Sequence, residues 1–216
     1  MNPTLFFYHA NGFPAQTYSQ LLEKIDRFPV KYIDILGSGI ISLEGSMQKL
    51  VEEVIRHAAS AEGNAVGIGH SLGATLCLFA EAAHPGLFRT LFLLDPPVFA
   101  PWKRTAIRVL RRLGLEHWFS PGGKALHRRV LFDSREEALI YFLKKPLFRN
   151  FPRRTVELPP NLAEFIGTMI HCKNLEILGQ TDLRWWQKTF PKMETVSFSG
   201  GHLFPLAHPD LLASLI

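Results

Sequence analysis

The sequence predicts an α/β protein with a mostly parallel central sheet flanked by helices and a short helical insertion. Three observations predict it. Through the first 100 residues, short apolar runs alternate with stretches of helical period over short connections, which is how βαβ units read. A basic, proline-broken helical stretch then interrupts, and the alternation resumes beyond it. The composition agrees: with 47% hydrophobic and 20% charged residues, a chain of 216 can pack a core, which excludes a disordered, collagen-like or coiled-coil chain.

Each element has its own signal. Thr4–Tyr8 is a short apolar and aromatic run, hence a buried strand, closed by the turn chemistry of His9-Ala10-Asn11-Gly12-Phe13-Pro14. Tyr18, Leu21, Leu22 and Ile25 recur at helical spacing, and Phe28-Pro29 ends that helix. Val30–Leu36 reads as the second strand, and Ser46–Ala59 as an amphipathic helix with Met47, Leu50, Val51, Val54 and Ile55 on one face. Asn64–Ile68 is a strand, Gly69–Gly73 a tight turn, and Ala74–Ala83 a helix apolar almost throughout and therefore buried. Thr90–Leu94 is the next strand, stopped by Asp95-Pro96-Pro97. From Trp102 to about Asn161 the text is helical, with breaks at Pro121-Gly122-Gly123, Pro146, Pro152 and Pro159-Pro160. A helix over Leu162–His171, strands at Asn174–Leu178 and Glu194–Phe198, and a helix over Leu183–Phe190 complete the pattern. The organisation is a core of residues 1–100 and 162–216 interrupted by a basic helical insertion at 101–161.

Charge follows that division. Residues 101–160 hold 14 Lys and Arg against 5 Asp and Glu, a balance of +9, while the rest of the chain stands at −4. The basic character therefore belongs to one segment, which a solvated helical surface explains as readily as an anionic ligand does. No aromatic-basic stacking platform accompanies it, so nucleic acid is not the expected partner. Cys77 and Cys172 are too few for a disulfide scaffold or a cysteine zinc cage and agree with a reducing compartment. Leu5-Phe6-Phe7-Tyr8 is too short for a signal core, and no run reaches the ~18 apolar residues of a membrane span, so the expectation is a cytoplasmic protein.

The chemistry concentrates in Gly69-His70-Ser71-Leu72-Gly73, a G-x-S-x-G between a strand and a helix. A sharp turn there holds the Ser71 hydroxyl clear of the backbone, and the helix behind it points its positive end at the site. The N–H of Leu72 would face a developing oxyanion. A serine hydroxyl needs a base. His202, in Gly200-Gly201-His202 just after the last strand, lies at the same sheet edge. The base needs an acid to fix its tautomer. Asp182, beyond the strand Asn174–Leu178, is the favoured one. Asp95, ending the preceding strand, is the alternative, although Asp-Pro is also a common strand-ending turn. Each residue has a plainer role as rival: a turn serine, a capping histidine, a strand-end aspartate. His9 reads as a strand-end hydrogen-bonder. No histidine spacing implies a metal, and no cofactor is implied.

These residues resemble the α/β-hydrolase superfamily over essentially the whole chain. The resemblance rests on Gly69–Gly73, on the order Ser71, Asp182, His202, and on Gly201-His202-Leu203-Phe204-Pro205 followed by His208-Pro209-Asp210. Asn11-Gly12-Phe13-Pro14 is similar to the family's "HGFP" oxyanion turn, with Asn11 in place of its His, and implies Phe13 N–H as a second oxyanion donor. The insertion stands where the family carries its cap. The resemblance implies a serine hydrolase, esterase- or lipase-like, acting on an ester, thioester or small amide. The insertion carries aromatic residues, among them Trp102, Trp118, Phe119 and Phe132, with arginines between them, which suits an apolar acyl substrate with an anionic end. Carbon–carbon hydrolysis and a non-catalytic binding protein on the same fold are the alternatives. A Rossmann turn at Gly67–Gly73 is disfavoured because its glycines miss the G-x-G-x-x-G register.

Overall fold

The computed structural model describes residues 3–38, 46–61, 64–97, 101–112, 184–185, 188–189, 194, 196 and 201–216. Within them, four parallel strands form one sheet in the order β2-β1-β3-β4: β1 Thr4–Tyr8, β2 Val30–Tyr32, β3 Ala65–His70 and β4 Phe88–Leu94. The helices are α1 Ser19–Leu22, preceded by a 3₁₀ turn at Ala15–Tyr18, α2 Ser46–Ala59, α3 Leu72–Ala83, α4 Pro101–Arg112, α5 Phe204–Ala207 and α6 Pro209–Ala213.

The alternation of β1 explains the layering. Successive side chains of a strand leave opposite faces. Leu5 and Phe7 enter a core with Tyr18, Leu21, Ile68, Leu94, Leu203, Leu206 and Leu212. Phe6 and Tyr8 enter the other, with Val54, Ala58, Leu76, Cys77, Ala80 and Phe88. Both faces are therefore covered, as a parallel sheet requires. The register runs Tyr8↔Gly69 and His70↔Leu94, so β1, β3 and β4 all end at one edge.

Among the described residues the expected elements are found with shifted bounds: β3 runs on to His70 rather than ending at Ile68, β4 starts at Phe88 rather than Thr90, and α3 starts at Leu72 rather than Ala74. β2 ends at Tyr32 rather than Leu36. Beyond it the Leu36 N–H donates to His9 Nε2 at 2.8 Å, and the Asp34 carbonyl accepts from Ala15 N–H at 3.0 Å. Those backbone groups serve the β1 turn instead of a ladder. The helix expected over Tyr18–Ile25 is a 3₁₀ turn and a single α-turn, and it still buries Leu21 and Ile25. Of the insertion, α4 alone is described. The elements expected over 162–178, most of the strand expected at Glu194–Phe198 and the acid Asp182 lie outside the described residues, and the helix expected over Leu183–Phe190 is described only at 184–185 and 188–189. No described helix is long and apolar enough to cross a membrane.

Candidate active site

The turn after β3 is built by its glycines. A Cβ on Gly69 would fall onto the backbone of Gly73 and Ala74, and one on Gly73 onto the carbonyl of Tyr8. Only hydrogen fits at either position, so α3 can start hard against β1. Ser71, between them, takes φ 52° and ψ −109°. That is a strained conformation for a residue with a side chain, of the kind that persists where surrounding structure over-determines it. The restraints are specific: Ser71 N–H donates to Leu94 O at 2.9 Å, and Ser71 O accepts from Thr75 N–H at 3.1 Å and Thr75 Oγ1 at 3.2 Å. Leu72 opens α3, so its N–H belongs to the first turn, where no intrahelical acceptor exists.

Asp95 lies one residue past β4, beside the elbow. Among the described residues it is the other non-glycine with positive φ, at 45°. The loop before α5 brings His202 to it. The His202 Nδ1–H donates to Asp95 Oδ2 at 2.6 Å, with the two side chains 5% and 12% exposed. A carboxylate only accepts, so the proton sits on Nδ1 and Nε2 is left to accept one from a hydroxyl. Among the described residues the Ser71 hydroxyl makes no hydrogen bond to this ring. Contacts between a nucleophile and its base commonly tighten only with substrate bound.

The remaining expected groups are placed as follows. Phe13 N–H closes a four-residue turn on Ala10 O at 3.1 Å, with Gly12 at φ 79°. His9 Nδ1–H donates to the same carbonyl at 2.8 Å, and His9 Nε2 accepts from Leu36. Both ring nitrogens are thus engaged, and burial lowers the imidazole's proton affinity. His9 is a strand-end tie, as its sequence position suggests. Cys77 is buried in the second core, and burial pushes its thiol up, which makes it inert as a nucleophile.

Two residues carry more than the sequence assigns to them. His70, fully buried, is bonded through Nδ1 to Tyr18 Oη at 2.6 Å and through Nε2 to the carbonyl of His202 at 2.8 Å. Its ring centroid is 4.8 Å from that of His202. The sequence places His70 in the turn Gly69–Gly73, where no local pattern points to these bonds.

A parallel sheet, a G-x-S-x-G elbow and a histidine–carboxylate pair at one sheet edge define the α/β-hydrolase class of proteins. The chain belongs to the alpha/beta hydrolase family, whose model matches residues 9–215. A monoglyceride lipase homolog of monkeypox virus is 29% identical over 107 residues, 44% of this chain and 39% of that protein. The match thus spans well under half the length of that relative. Among solved structures, the N-formylmaleamic acid deformylase of Pseudomonas putida S16 is similar with a TM-score of 0.66 at 17% identity, over 99% of this chain and 91% of that one. The thioesterase domain from the curacin biosynthetic pathway gives a TM-score of 0.69 at 15% identity, over 99% and 90%.

Proposed function

We propose that this chain is a serine hydrolase cleaving a carboxylic ester, thioester or small amide through an acyl-enzyme. The observation that carries the reading is the 2.6 Å pair between His202 and Asp95 beside the strained Ser71 elbow. Ser71 Oγ attacks the substrate carbonyl carbon while His202 Nε2 takes its proton. Negative charge gathers on the carbonyl oxygen, toward the Leu72 N–H and the N-terminal end of α3. Collapse expels the leaving group, which takes the proton back from His202. Water, deprotonated by the same ring, then attacks the acyl-enzyme, and Ser71 recovers its proton as the acid leaves. Phe13 N–H joins as second donor by sharing its turn bond to Ala10.

Asp95 takes the acid's role in this reading. It orients His202 and stabilises the imidazolium. Its contact supports it over Asp182, which the sequence favours. The insertion over 101–161 is assigned as a cap that selects the acyl group. The viral monoglyceride lipase homolog makes glycerol monoesters a natural first substrate set. A non-catalytic binding protein is the second reading, favoured by the engagement of Phe13 N–H in its turn.

Asp95→Asn and Asp182→Asn, assayed on p-nitrophenyl butyrate beside wild type, test the acid. We expect Asp95→Asn to lower kcat about ten-thousandfold, as the Asp→Asn change at a triad acid does, and Asp182→Asn to stay within about threefold. The reverse pattern assigns the acid to Asp182. No turnover by folded wild type across acyl esters, thioesters and glycerol monoesters supports the binding protein.

A further inference from the structure

We propose that Tyr18 and His70 are positioning residues, which lock the loop carrying His202 to the turn after β1. The inference rests on the serine-hydrolase reading and extends it to two groups that touch no reacting atom. Proton accounting fixes every direction. The His202 carbonyl can only accept, so His70 Nε2 carries the hydrogen of their 2.8 Å bond. A neutral ring then offers Nδ1 as acceptor, so the Tyr18 hydroxyl donates across 2.6 Å. The Tyr18 oxygen in turn accepts from Ala10 N–H at 3.3 Å. The chain Ala10–Tyr18–His70–His202 thus joins the turn after β1 to the loop of the base, through the residue that precedes the nucleophile.

Two further observations support the lock. His70 is 0% and Tyr18 1% exposed, so neither bond exchanges readily with water. Burial, with His202 and His9 close by, holds the His70 imidazole well below its ordinary proton affinity, and so neutral. The ring of His70 lies against that of His202 and limits where the base can move. A shift of about 1 Å in a catalytic group can cost about a hundredfold in rate, so a lock of this kind acts on kcat rather than on substrate affinity.

The test compares Tyr18→Phe, His70→Leu and His70→Gln. The glutamine amide can place an N–H near where His70 Nε2 stands, and leucine cannot. Rates are measured per folded molecule, by fluorophosphonate labelling of Ser71 and by p-nitrophenyl butyrate turnover. We expect Tyr18→Phe and His70→Leu to lower kcat about tenfold or more with KM unchanged, and His70→Gln to recover part of the loss. Nitrogen-15 spectra of histidine-labelled wild type should show His70 as the Nε2–H tautomer, and those of Tyr18→Phe a mixture. A variant lost only to unfolding would label at the wild-type rate per folded molecule, and that result overturns the lock. So does a wild-type His70 in the Nδ1–H form, a readout that needs no activity. Failure of folded wild type to label at all overturns the serine-hydrolase reading instead, and with it the catalytic role of the lock.

Discussion

Ser71 and Asp95, at φ 52° and 45°, are the non-glycine residues with positive φ among those described, and they sit past the ends of neighbouring strands. Such backbone costs about 1–3 kcal/mol each, so folding spends stability at this edge. Asparagine tolerates the left-handed region as aspartate does. Asp95→Asn should therefore keep folding stability within about 1 kcal/mol by chemical denaturation while activity collapses, and a parallel fall of both would make Asp95 a structural residue. At this scale the sequence was partly legible. Ser71 and His202 stood out as candidates because motif and strand-end position coincide. The acid was ambiguous because Asp95-Pro96 is also ordinary turn chemistry, while Asp182 stands in a loop just beyond a strand expected at Asn174–Leu178. Tyr18 and His70 were hidden because their bond joins residues 52 apart, which no local pattern announces.

The elbow is an element-scale device. β3, buried along its whole length, delivers Ser71 at the sheet edge, and α3 begins one residue later against Tyr8 of β1. Gly73→Ala sets a methyl group on backbone that cannot move aside. It should destabilise by about 3 kcal/mol, the range of core overpacking, measured by chemical unfolding. A change below about 0.5 kcal/mol would mean that α3 does not pack on β1 as described. Strands and helices were legible where burial is two-sided or amphipathic: Thr4–Tyr8 and Ser46–Ala59 have the bounds their patterns suggest. β2 was overextended because Ile33 and Leu36 look strand-like while the backbone there bonds to His9 and Ala15. Side-chain pattern does not report where a backbone N–H goes.

At the scale of the molecule, three histidines share one consequence. Burial lowers the proton affinity of His9 and His70, and of the half-buried His57 beside Phe6 and Tyr8, with Lys31 adding to it. Unfolding releases each to an ordinary value near 6.5, so below that pH the unfolded chain binds more protons than the native one. Stability is fully present above pH 6.5 and is lost as pH falls toward the native values, by up to about 1.4 kcal/mol per pH unit for each fully buried neutral histidine. Thermal unfolding from pH 7.5 to 5 should show a falling Tm, with the slope reduced in His70→Gln; an unchanged slope would remove His70 from that balance. The layered α/β plan was legible because alternation, glycines and charge agree with one another. The central claim is that the fold presents Ser71 as an activated nucleophile. The most direct measurement is labelling by a fluorophosphonate probe, wild type beside Ser71→Ala. Labelling confined to wild type is the predicted result, and a folded wild type that does not label, or a Ser71→Ala variant that still does, would contradict it.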